Sequence, residues 1–113
     1  MVLAGTQQEE AARALGCLWA GEIFADRAYN DDATLVDRAQ PGAVIHDPEA
    51  AAGRMVRMVQ AGAILTESGA RIDASVDTIC LHGDGKTALA IARAVRDALQ
   101  EAGVTLRTFE GRR

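Results

Sequence analysis

At 113 residues, with 49% apolar and 25% charged side chains, the chain has the length of one domain and the composition of a folded polypeptide rather than a disordered one. A formal charge of −4, with twelve Lys and Arg residues gathered on no single face, leaves no footprint for nucleic acid. No apolar run reaches the roughly eighteen residues of a membrane span, and the N-terminus lacks a signal-peptide pattern, so a cytoplasmic protein is expected. Cys17 and Cys80 match no metal-ligand spacing and read as reduced, buried thiols.

In chain order, Val2-Leu3-Ala4 is a short apolar run, and Thr6 can cap a helix over Gln7 to Leu15 that Gly16 stops. Cys17 to Ala25 reads as a strand, followed by the polar loop Asn30-Asp31-Asp32. Leu35 to Ala39 reads as irregular or a brief strand closed by Pro41-Gly42, and Ala43-Val44-Ile45 is too short to assign. Asp47-Pro48-Glu49 then opens a helix with an apolar face of Met55, Val56, Met58 and Val59, and Gly62 ends it.

Ile64 to Val76 reads as a β-hairpin around Ser68-Gly69, and Val76 to His82 as a core strand. From about Lys86 to Ala102, Ala88, Ile91, Ala92, Val95 and Leu99 make the apolar stripe of a long helix. Val104-Thr105-Leu106 is expected to add a fourth strand, and Arg112 and Arg113 a solvated basic end. This order predicts an α/β fold with a parallel sheet.

Two strand-like runs end abruptly on ionisable residues: Glu22-Ile23-Phe24-Ala25 on Asp26-Arg27, and Thr78-Ile79-Cys80-Leu81 on His82-Gly83-Asp84. If both strands are parallel neighbours, Asp26, Arg27, His82 and Asp84 emerge on one rim, where α/β proteins build their sites. Arg27 offers a planar fork for an anion, or closes a structural ion pair with Asp26. Arg38 is a second candidate anion clamp, although its spacing favours a surface residue. His82 can exchange protons near neutral pH, and Asp84 either serves that site or caps the next helix. His46 reads as structural, beside the Asp47-Pro48 helix start.

Gly83-Asp84-Gly85-Lys86-Thr87 is not a phosphate-binding loop, because Cys80 stands where the motif needs its first glycine. A helix N-terminus remains, a generic and weak anion site.

Three segments, Glu22 to Tyr29, Leu35 to Ile45 and Ile79 to Asp84, together resemble the LamB/YcsF family, the A subunit of the bacterial ATP-dependent 5-oxoprolinase. The resemblance runs from about Val2 to Val104. It departs at Ala33, where the family usually has glycine, and at Asp37 and Ala39, which replace proline and serine around Arg38. Family members are more than twice as long, and this chain resembles their C-terminal part. It lacks the Asp-Leu-Gly-Glu and His-Ala-Gly-Asp elements, as in a truncated chain, a misassigned start or a degraded gene.

The resemblance implies a distorted (β/α) barrel of the polysaccharide-deacetylase type, incomplete in a single domain spanning residues 1–113. It also implies ring opening of 5-oxoproline to L-glutamate with ATP, and with it Mg2+, alongside subunits B and C. His82, Asp84 and Asp26 would be catalytic, and Arg27 and Arg38 substrate-binding. The open sheet edges of half a barrel would invite self-association. Two other readings stand: an inactive remnant that only binds partner subunits, and a metal-dependent, deacetylase-like hydrolase.

Overall fold

A computed structural model describes every residue from Met1 to Arg113. Its centre is a three-stranded parallel sheet of β1 (Val2–Leu3), β2 (Gly21–Phe24) and β5 (Thr78–Cys80), in the order β1-β2-β5. Helix α1 (Gln7–Ala14) makes the crossover from β1 to β2. Its Thr6 hydroxyl accepts from the Gln8 N–H, as an N-cap should. Glu9 accepts the Gly5 N–H at 2.8 Å and Arg13 at 2.7 Å, which fixes the turn between strand and helix.

Helix α2 (Pro48–Ala61) starts and stops where its sequence dictates. Asp47 accepts from the Glu49 N–H, Pro48 occupies the first turn, and Gly62 closes the helix in the left-handed conformation at φ +60°. It buries Ala51, Ala52, Met55 and Met58. A separate antiparallel hairpin follows, β3 (Ala63–Leu65) with β4 (Arg71–Asp73). Helix α3 (Ala88–Glu101) packs on α2 and buries Ile91, Val95 and Leu99, one residue per turn of a single stripe. These join Ile23, Tyr29 and Ile64 in one core.

Four expectations are corrected. The second strand begins only at Gly21, because the chain before it is held by a lone bridge between Trp19 and Arg112. No fourth strand forms over Val104-Thr105-Leu106. Gly103 turns the chain at φ +82°, the Val104 N–H bonds back to the Leu99 carbonyl, and Leu106 is left exposed. Cys17 is exposed rather than buried, and Cys80 is half-buried; both are free thiols. Arg112 is not merely solvated. It reaches Asp77 at 2.7 Å, and Asp77 also accepts the Gly21 N–H at 2.9 Å.

β1 and β5 each pair on one side only, so the sheet has two open edges. No helix is long and apolar enough to cross a membrane.

Candidate active-site rim

The register of β2 against β5 decides the geometry. Ile23 lies opposite Ile79 and Phe24 opposite Cys80, so continuing both strands by two residues brings Asp26 beside His82. His82 Nδ1 stands 3.0 and 2.9 Å from the two carboxylate oxygens of Asp26. A carboxylate only accepts, so Nδ1 carries the proton and Nε2 is left for another partner. The ring also stacks on Phe24, with centroids 5.5 Å apart and planes inclined by 20°. Imidazole orientation is thus fixed on an edge and on a face.

The bend that presents Asp26 is held from below. Arg54 of α2 donates to the carbonyls of Ala25 at 2.9 Å and Arg27 at 2.8 Å, the two that flank Asp26. Burial pulls the Arg54 guanidinium below its ordinary value, yet these carbonyls keep it useful as a donor. Tyr29 accepts the Phe24 N–H at 2.9 Å. Wholly enclosed, its phenol is pushed up to about 12, chiefly by desolvation. Neither Arg54 nor Tyr29 emerges from the sequence as a support, because their partners are backbone atoms that no local pattern marks.

Beyond Asp26 the chain is gripped by residues 35–45. Arg27 bridges Val44, the Ile45 N–H donates to the Asp26 carbonyl at 2.8 Å, and Tyr29 bridges Leu35. Arg27 donates through Nη2 to the Val36 carbonyl at 2.8 Å, while its buried Nε has no partner. Arg27 makes no ion pair with Asp26, whose partner is His82; the structural ion-pair reading is therefore set aside.

These elements enclose a cleft of about 250 Å³ lined by Asp26, Arg27, Arg38, His82 and Asp84, together with His46 and the start of α3. All five residues singled out in the sequence meet there. Arg38 is on the surface, as its spacing suggests, and still lines the cleft. His46 departs from the structural role its sequence position suggests: it is exposed and faces the same cleft. Its place just before the Asp47 cap puts it on the rim, a signal that spacing alone does not separate from a helix-start residue. Asp84 does not cap α3, which begins at Ala88 with no side-chain cap. No three His, Cys, Asp or Glu side chains converge as a ready-made metal site. Asp84, exposed at the cleft, fits the one-carboxylate manner in which Mg2+ is held mainly by water and phosphate oxygens.

A model of the LamB/YcsF family matches residues 1–113. The chain belongs to the LamB/YcsF family. It is 69% identical over 110 residues to the A subunit of 5-oxoprolinase from Ruegeria pomeroyi, covering 97% of this chain and 44% of that one. Against the corresponding 5-oxoprolinase A subunit of Rhodopseudomonas palustris strain BisB18 the identity is 51% over 111 residues, 98% of this chain and 44% of the relative. A crystal structure of the lactam utilization protein from Thermus thermophilus superposes with a TM-score of 0.83 at 44% identity, covering 96% of this chain and 42% of that one. This LamB/YcsF chain thus spans less than half the length of the relatives it matches.

Proposed function

We propose that this chain supplies the proton-transfer and anion-binding part of the A subunit of a 5-oxoprolinase, which opens 5-oxoproline to L-glutamate with hydrolysis of ATP. The observation that carries the reading is the Asp26–His82 pair at the joint exit of β2 and β5, with Arg27, Arg38 and Asp84 on the same cleft. The names of its relatives supply the reaction.

A lactam carbonyl is a poor electrophile. Transfer of the γ-phosphoryl group of ATP to the lactam oxygen gives ADP and an activated ring carbon. Water adds to that carbon as its proton passes to His82 Nε2, while Asp26 holds the ring and stabilises the imidazolium. The ring C–N bond then breaks as nitrogen takes up a proton, and hydrolysis of the resulting acyl phosphate releases phosphate. Arg27 or Arg38 grips the substrate carboxylate. Asp84 is the group available for the Mg2+ that accompanies ATP. A cleft of about 250 Å³ suits a five-membered cyclic acid better than a whole nucleotide, which leaves the adenosine end to subunits B and C.

With the substitutions placed at these positions of a full-length A subunit and turnover measured together with subunits B and C, His82→Ala should lower ATP-dependent glutamate release about a hundredfold or more. Asp84→Asn should lower it as well. Unchanged turnover in both variants overturns the assignment. ATP-independent hydrolysis with a metal on His82 and Asp84 would instead favour the deacetylase-like chemistry.

A second reading is favoured by the open edges of β1 and β5 in a chain covering 44% of its relatives. Here the chain completes a barrel only with further polypeptide and binds its partners without turning over alone. A pull-down with subunits B and C that shows binding without glutamate release supports it.

A further inference from the structure

Three helices begin in this molecule, and α3 alone begins without a side-chain cap or an acidic residue in its first turn. The Ala88 N–H reaches the Gly85 carbonyl at 3.2 Å, but the N–H groups of Leu89 and Ala90 have no acceptor in the chain. That alone is a generic anion preference. A second, independent feature faces the same cleft: Arg27 is 8% exposed, has no carboxylate partner, and buries an Nε with no hydrogen bond. A guanidinium enclosed without an anion is costly unless a ligand supplies one. Thr87, Ala88 and Arg38 line the cleft with it.

We infer that the Arg27 guanidinium and the open N-terminus of α3 form one oxyanion subsite, taking a phosphoryl or carboxylate group, with Arg38 closing it from the surface. Thr87 leaves the terminal amides free for the ligand, since a side chain that capped them would compete with it. The inference deepens the 5-oxoprolinase reading, on which it rests, by giving the anionic end of the substrate, or the phosphoryl group of its activated form, a place beside His82. Binding is separable from turnover. If the subsite binds and turnover in the full-length enzyme ignores His82, only the catalytic reading fails; if turnover depends on His82 and the subsite does not bind, only this inference fails.

The test is titration of the isotopically labelled 113-residue chain with inorganic phosphate and, separately, with glutarate, followed through backbone amide resonances. Saturable shifts of Leu89 and Ala90 are expected. Affinity should fall about tenfold or more in Arg27→Met. It should fall likewise in Thr87→Asp, whose carboxylate caps the helix from within and should raise Tm, so misfolding cannot imitate the loss. The exposed hairpin variant Arg71→Ala should bind as the parent does. Phosphate binding without glutarate binding assigns the subsite to the phosphoryl group, and the converse to the substrate carboxylate. Amide shifts that do not saturate with either anion, or that survive Thr87→Asp unchanged, overturn the inference.

Discussion

The two ends of the parallel sheet are built on opposite plans. At the amino end of β2 and β5, Asp77 is all but enclosed, accepts the Gly21 N–H and pairs with Arg112, whose own backbone N–H and carbonyl join those of Trp19. Arg13, paired with Glu9, lies over the Trp19 ring at 4.9 Å. There the charged groups of the fold find partners within the fold. At the carboxyl end, Arg27 Nε has none, Asp84 and His46 stand exposed at a cleft, and His82 offers its second nitrogen. The difference teaches where to look for chemistry. Satisfied charges hold the sheet together, and unsatisfied ones await a ligand.

The comparison breaks most sharply if the amino end tolerates crowding. A Cβ added at Gly21 would stand 1.9 Å from the Ser75 carbonyl oxygen and 3.4 Å from Ala4 Cβ. Gly21→Ala should therefore cost roughly 3 kcal/mol or more, read by denaturant unfolding. Tyr29, the structural exception at the carboxyl end, sets the next effect. Its folded value of about 12 lies above the ordinary 10, so its contribution is full below pH 10 and is lost as the pH rises through 12. A fall of about 2–3 kcal/mol across that window follows for the parent and should be absent in Tyr29→Phe.

Smaller again is Asp77→Asn, at about 2 kcal/mol, because Arg112 loses its charged partner while the amide oxygen can still accept from Gly21. His82→Ala sharpens the contrast, since its loss of stability should stay under about 1 kcal/mol even where turnover collapses.

Much of this is legible in the sequence because it rests on local chemistry. Asp47-Pro48 and Gly62 bound α2, the stripe of Ile91, Val95 and Leu99 places α3, and the abrupt ends of two apolar runs place Asp26 and His82 together. What the sequence conceals depends on contacts between distant residues. Arg54 looks like any helical arginine until its two backbone carbonyls are seen. Arg112 looks like a frayed end until Asp77 meets it. Val104-Thr105-Leu106 has strand-forming residues but no neighbouring strand to pair with, and propensity without a partner does not make a sheet. Ala33 shows the reverse: it stands where the family usually has glycine, and its backbone is left-handed at φ +69°.

The central claim is that Asp26 fixes the His82 ring so that Nε2 faces outward as a proton acceptor. Long-range proton–nitrogen correlation spectra of the His82 ring test it most directly. The account predicts a neutral ring protonated on Nδ1, with that preference lost in Asp26→Asn. A ring protonated on Nε2, unchanged by the substitution, would contradict it.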